Sequence, residues 1–340
     1  MLDERKAAIL RAVVEEYIDT AQPVGSAHVA QASGVQVSSA TVRNDMAALE
    51  AEGYLRQPHT SAGRIPTEKG YRFFVDHLAP PARLRGDDAV QVRAFFDQAH
   101  GELERMLHDT SRLLGDLTHY AGVVVGPKPT EATIRSVQLV GLTRASALVV
   151  VVLSNGVVEK HHLDLSEAGP TLAEGAGEER IAAASARLAA HLAGTARSAL
   201  PPLGSSGDDV VDALCDLALR SLADERGTEP DQVYVGGTSR IAQAFDAIET
   251  VREVLGILEQ QLVVVSLLRD VLDRGLQVAI GTETGMANLA DCALIVSPYE
   301  VDGEPAGSIG VLGPARMDYP QAMAAVAVVG NRLSQRLTEG

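Results

Sequence analysis

Cysteine is almost absent. The 340 residues hold two, Cys215 and Cys292, too few for a disulfide framework or a Cys-rich zinc site. Long apolar runs are absent too. Ala147 to Leu153 and Leu262 to Val265 fall far short of the ~18 residues that a membrane span needs. The start, Met1-Leu2-Asp3-Glu4-Arg5-Lys6, is charged and leads into an amphipathic pattern rather than a signal peptide. The expectation is a soluble, cytoplasmic chain with no membrane partner. Positive charge is in deficit: 29 Lys+Arg against 45 Asp+Glu give a net −16. That excludes a uniformly basic nucleic-acid coat, but not a local site built from a few placed cations.

Signatures of catalysis are also missing. There is no Gly-x-Ser-x-Gly, and Gly236-Gly237 and Gly310 to Gly313 fit neither a phosphate loop nor a dinucleotide fingerprint. His161 and His162 are adjacent on a predicted strand, so they point to opposite faces and cannot chelate one metal as a pair. Cys292, in an apolar strand, reads as a buried structural thiol. Glu283, in the loop Gly281 to Gly285, reads as part of a turn, with the lining of a small-molecule pocket as the sharper alternative. No enzyme, cofactor or metal site is expected.

What is present is ordinary globular material, 46% hydrophobic and 22% charged, long enough for two or three domains. Residues 1–78 read as short helices with tight connections. Ile9, Leu10, Val13, Val14, Tyr17 and Ile18 share one face of a first helix, which Pro23 and Gly25 close off. Ser26 is placed to cap a second, short helix, and Ser38 or Ser39 a third that runs to about Glu52. Two short strands, Tyr54 to Arg56 and Arg64-Ile65, follow as a ribbon, and Thr67 caps a fourth helix. This order is that of a winged helix-turn-helix.

On the third helix Val42, Met46 and Leu49 fall on one side. The other side carries Ala40, Asn44, Ala47 and Ala48, flanked by Thr41 and Arg43. Small residues let the helix axis come near base edges, Asn pairs with adenine, and Arg pairs with guanine or phosphate. Thr41, Arg43 and Asn44 are therefore the base-reading candidates. Ser38 and Ser39, in the first turn, suit a phosphate. The ribbon segment from Gln57 adds His59 and Arg64, of which Arg64 either enters the minor groove or contacts the flanking DNA backbone, with pairing to a carboxylate in a solvated turn as the alternative. Lys69 and Arg72 have the same two options, phosphate or a surface ion pair. Residues 1–78 hold eight Lys+Arg against ten Asp+Glu, so nonspecific affinity should be weak and binding should depend on placed contacts and dimeric avidity.

Pro80-Pro81 and Gly86-Asp87-Asp88 mark a linker over 79–88. A long helix with a heptad-like seam is predicted from Ala89 to His119. Strands are predicted at Gly122 to Gly126, Ser136 to Leu142, Ala147 to Leu153 and Val157 to Leu163, with Asn155-Gly156 as a hairpin turn. An Ala-rich helical block follows, then a helix at Val210 to Arg226, a short strand Val233 to Val235 and one helix from Ile241 to Asp273. Strands resume at Val278 to Ile280, Ala293 to Pro298 and Gly307 to Leu312, before a last helix, Gln321 to Leu337. The pattern suggests an α+β, multidomain chain: one α/β domain from 89–165 and 262–340, with a mainly helical insertion over 166–261.

Tyr17-Ile18, Pro23 to Ser26, Ser38 to Met46 and Gln57 to Thr67, with Gly310 to Tyr319 near the far end, resemble the HrcA family of heat-inducible transcription repressors. The resemblance spans nearly the whole chain. It implies a winged-helix domain, a GAF-like domain and an inserted dimerisation domain. It also implies binding as a homodimer to double-stranded DNA at the CIRCE inverted repeat, upstream of chaperonin and related chaperone operons, with activity supported by the chaperonin GroEL. Ala315, the Thr282-Glu283-Thr284 loop and Gly237 to Asp246 depart from the family pattern. A second reading is a metabolite-sensing winged-helix regulator with a small ligand in the GAF-like domain.

Overall fold

The computed structural model describes residues 2–339 except 33, 36, 60–61, 81–82, 99–102, 128–131, 167–174, 224–231, 246–247 and 276. Helix and sheet are mixed throughout, as the α+β expectation requires. The first unit contains α1 (Glu4–Thr20), α2 (Ser26–Val29), α3 (Ser39–Ala51), a ribbon of β1 (Leu55–Arg56) and β2 (Ile65–Pro66), and α4 (Glu68–Phe73), which continues as a π turn over Phe74–Leu78. Asp3 caps α1 by accepting from the Lys6 N–H at 2.8 Å, and Ala21 ends it in the left-handed region. The ribbon pairs Arg56 with Ile65, and Val24 bridges Arg64. Gly63 is required there, because a Cβ would run into the Val24 carbonyl.

The expected single helix over 89–119 is described as α5 (Gly86–Gln98) and α6 (Leu103–Thr118); the residues between them lie outside the described set. A five-stranded antiparallel sheet follows, in the order β7-β3-β10-β9-β8: β3 is Ala121–Val125, β7 Val233–Gly236, β8 Val278–Ile280, β9 Cys292–Val301 and β10 Glu304–Pro314. Its side chains alternate between two cores. Val124, Ala293, Ile295, Ile309 and Val311 face α6 and α12 (Tyr319–Glu339). Val123, Val125, Cys292, Leu294 and Leu312 face α9 (Thr238–Ala244), α10 (Ile248–Leu258) and α11 (Gln261–Asp273). The sheet is thus covered on both sides.

Two expectations differ here. One helix from Ile241 to Asp273 would be about 50 Å long and could not keep its apolar residues on so narrow a sheet. The chain instead breaks at Phe245 and at Gln260, so that Ile241, Val254, Ile257, Val264 and Leu268 all reach one core. The inserted unit also starts before 166. β4 (Ile134–Gly141), β5 (Ser146–Leu153) and β6 (Val158–Asp164) form their own three-stranded sheet, and α7 (Glu178–Leu192) and α8 (Asp209–Ala223) cover one face of it. Ala147, Val149, Val151 and Leu153 bury one side of β5 against those helices. Asn155-Gly156 makes the predicted turn into β6, with Gly156 at φ 83°. The strands of 134–164 therefore belong with the helical insert, while β7, α9 and α10 belong with the five-stranded sheet.

The first unit is docked on the unit built around the five-stranded sheet, the third unit, with the insert as the second. Tyr71, Phe74 and Leu78 share a core with Val278, Ile280, Tyr319 and Ala322. A polar strap lies beside that contact. Arg72 donates from Nε to Glu283 at 2.9 Å, from Nη2 to Glu283 and to the Val278 carbonyl (2.7 Å), and from Nη1 to Asp76 at 3.3 Å. Glu68 accepts from the Thr282 hydroxyl at 2.6 Å and from its N–H at 3.3 Å. Partial burial pushes the Glu283 carboxyl up, but the hydrogen bonds from Arg72 and the Ile280 N–H outweigh it and hold the group below its ordinary range.

Candidate nucleic-acid interface

The third helix of the first unit is laid out as its sequence implies. Ser38 is the N-cap: its hydroxyl accepts from the Thr41 N–H at 3.2 Å and lies 3.0 Å from the Thr41 hydroxyl. Val42, Met46 and Leu49 are buried against α1 and α2. The far side is open. Ser38, Ser39, Ala40, Arg43, Asn44 and Ala47 are exposed, and Thr41 and Ala48 are half-buried. Among the described residues, the Arg43 and Asn44 side chains have no hydrogen bond or ion pair.

One residue on this helix has a role that the sequence hid. Asp45 is buried on the core side, where Arg5 of α1 grips it through Nε at 2.7 Å and Nη2 at 3.2 Å. This bidentate pair fixes the rotation of α3 against α1. The signal was a carboxylate one residue from the core position Met46, opposite a basic first turn on α1; the partner's identity is not readable at a separation of 40 residues.

The ribbon residues are placed as follows. His59 is exposed near its tip, and Gln57 closes the loop by donating to the Ala62 carbonyl at 2.8 Å. Thr60 and Ser61 lie outside the described residues. Arg64 is turned inward. Its Nε donates to Glu50 of α3 at 2.9 Å and its side chain is 17% exposed, which is the carboxylate-paired option. Lys69 donates to the Glu52 carbonyl at 2.8 Å and sits 4.3 Å from the centre of the Tyr54 ring. Arg72 is in the strap. Of the cations in the first unit, Arg11, Arg43 and Arg56 are the ones without a hydrogen bond or ion pair among the described residues. So few cations can neutralise few phosphates, and the surface is suited to placed contacts rather than to a broad electrostatic grip.

Elsewhere the chemistry is structural. Glu159, His161 and Arg197 form a buried cluster, with Glu159 accepting from Arg197 at 2.8 Å and lying 3.1 Å from His161. His162 points to the other face of its strand and is exposed. Burial pushes the Cys292 thiol up to about 12. Among the described residues no group of three or more His, Cys, Asp or Glu is placed to hold a metal, and no helix is long and apolar enough to cross a membrane.

The comparisons with known proteins agree along the whole chain. Residues 104–323 match the family described as "HrcA protein C terminal domain". A heat-inducible transcription repressor HrcA of Moorella thermoacetica is 37% identical, covering 99% of this chain and 98% of its own. A heat-inducible transcription repressor HrcA of Streptomyces avermitilis is 38% identical over the full length of both chains. Among solved structures, one described as a hypothetical protein at 2.2 Å resolution shares the fold, with a TM-score of 0.62 at 24% identity, covering 99% of this chain and 98% of that one.

Proposed function

The chain belongs to the HrcA family of heat-inducible transcription repressors, and on that premise we propose that it represses chaperone operons by lying on promoter DNA as a homodimer. The homologues are named as transcription repressors, which favours a regulator over an enzyme. In this reading the first unit is a winged helix-turn-helix, the second an inserted dimerisation domain and the third a GAF-like domain. The operator is the CIRCE inverted repeat upstream of chaperonin and related operons.

The observation that carries the proposal is the open face of α3. Its alanines leave room for the helix axis to approach base edges, while Arg43 and Asn44 are exposed with their donors uncommitted among the described residues. Asn44 and Arg43 read bases, with Thr41 beside them. Ser39 and the first-turn N–H groups meet phosphate, Ser38 holds that turn in place, and His59 contacts the flanking backbone. Arg64 acts through Glu50, fixing the ribbon against α3.

Two copies present two such helices to successive major-groove faces, which is why the operator is a palindrome. The uncovered face of the three-stranded sheet supports the second unit as the dimer contact. Val140, Leu142 and Val158 are exposed there, beside half-buried Leu148, Val150 and Val152. The active fraction of repressor is supported by GroEL, so that clients occupying the chaperonin lower it and release the operons.

The test is a footprint on the promoter of the cell's own chaperonin operon, with wild type and Asn44→Ala. The wild type should protect both half-sites. The variant should lose about 1–3 kcal/mol of affinity and relax the preference at one position per half-site. Equal protection by the two proteins would remove α3 from the reading role.

A further inference from the structure

Half of the eight cations in the first unit end on α3, and they come from three other elements. Arg5 and Lys6, neighbours in the first turn of α1, reach Asp45 at 2.7 Å and Glu52 at 2.7 Å. Arg64 of the ribbon reaches Glu50 at 2.9 Å. Lys69 of α4 donates to the Glu52 carbonyl at 2.8 Å. All the acceptors lie in the C-terminal half of α3, away from the first turn that Ser38 caps. The last turn of α3 has no basic residue of its own, so Lys6 and Lys69 bring from other elements the positive charge that a helix C-terminus favours.

The acceptors also divide by direction. At ~100° per residue, Asp45 and Glu52 lie within about 20° of each other, and Glu50 lies about 140° from Asp45. The core residues Val42, Met46 and Leu49 fall between these two flanks. Asn44 falls near the middle of the opposite arc, which also carries Ala40, Arg43 and Ala47, all exposed. α1 therefore holds one flank of the helix and the ribbon holds the other. Rolling α3 in either direction stretches one set of pairs. The apolar side cannot resist a roll in this way, because hydrophobic contact is non-directional, whereas a charge-assisted hydrogen bond fixes distance and angle. A roll of about 20° at a radius of about 6 Å carries the Asn44 side chain about 2 Å sideways, well beyond the ~0.5 Å tolerance of a placed contact.

We propose that Lys6 and Glu52, with Arg5 and Asp45, are positioning residues for base reading: they set the roll of α3, so that discrimination between base sequences depends on them although none of them touches DNA. The proposal rests on the reading of α3 as the helix that meets base edges, and adds to it the groups that aim that helix. Phosphate contacts carry no sequence information and base contacts do. A misaimed α3 therefore loses its preference for the operator more than its affinity for duplex in general.

The test measures Kd for palindromic and for scrambled duplex on the full chain, with the urea midpoint of each protein beside it. The proteins are wild type, Lys6→Glu, Glu52→Lys, the charge-swapped pair Lys6→Glu/Glu52→Lys, and Asp45→Asn, which keeps the shape of the side chain. The ratio of the two Kd values cancels the general effect of an altered net charge. Each single variant should lower that ratio about fivefold, the lower end of what one bidentate base contact is worth, and the swapped pair should recover most of it. Single variants that unfold earlier in urea but keep the wild-type ratio would show pairs that only stabilise the fold, and would overturn the proposal. So would a swapped pair whose ratio stays low, because Lys6 or Glu52 would then act on DNA directly and not through the other. Loss of the preference in Asn44→Ala, with every Lys6, Glu52 and Asp45 variant unchanged, brings down this inference alone; a wild type with no preference brings down the operator reading first.

Discussion

Replacing Arg72 should loosen the first unit from the third. The side chains of Arg72 and Glu283 are 24% and 32% exposed, so their pair falls between a surface ion pair, worth about 0–1 kcal/mol, and a buried one, whose breakage costs about 3–5 kcal/mol. A coupling of about 1.5 kcal/mol follows. Arg72→Met also strips the Val278 carbonyl of its donor, which adds about 1 kcal/mol. The single variant should therefore lose about 2–3 kcal/mol. A double-mutant cycle with Glu283→Gln, read by urea unfolding at pH 7, isolates the pair. The pH dependence adds a sign. Glu283 titrates below its ordinary value near 4.5, so its contribution is complete above that pH and is lost as pH falls through the lower folded value. The gap between wild type and Glu283→Gln should thus close in acid and not in base. Additive single effects, within about 0.3 kcal/mol, would refute the strap as an energetic link.

Other substitutions probe the remaining elements. Ser38→Ala removes the cap of α3 and should cost about 1 kcal/mol in urea unfolding, with DNA affinity falling because the first turn frays. Arg197→Ala leaves Glu159 buried without its guanidinium; the two side chains are 7% and 10% exposed, and the loss should reach about 3–5 kcal/mol, read as early unfolding of the second unit by hydrogen exchange. Val140→Glu with Val158→Glu places charge on the uncovered sheet face and should shift sedimentation from dimer to monomer, with operator binding lost in the same samples.

The parts of this structure that were legible in the sequence are those set by local pattern. The alternation of Ala147, Val149, Val151 and Leu153 fixes which face of β5 is buried, and Asn155-Gly156 fixes the turn that follows. The spacing of Val42, Met46 and Leu49 fixes the inner side of α3, and thereby the open side that holds Asn44. What could not be read is set by partners far away in the chain. Arg64 had several chemically reasonable destinations, and its bond to Glu50 of α3 depends on how the ribbon packs against that helix. Arg72 meets Glu283 across 211 residues, and no local signal joins them. The split of 241–273 into three helices has a similar origin: its apolar pattern allows one long helix, and the narrow sheet beneath it does not. The start of the insert was hidden because β4 to β6 have the same β-rich composition as β3; which sheet each strand joins is a matter of long-range pairing.

The claim on which the rest stands is that α3 reads sequence through its open side. The direct measurement is competition for labelled CIRCE duplex by the same duplex unlabelled and by a scrambled one, at a fixed near-physiological salt concentration, with wild type and Asn44→Ala side by side. The wild type should prefer the palindrome by about a thousandfold or more, and Asn44→Ala should give up about 1–3 kcal/mol of that preference while unfolding at the same urea concentration. Scrambled duplex competing as well as the palindrome, or an unchanged preference in the variant, would contradict it.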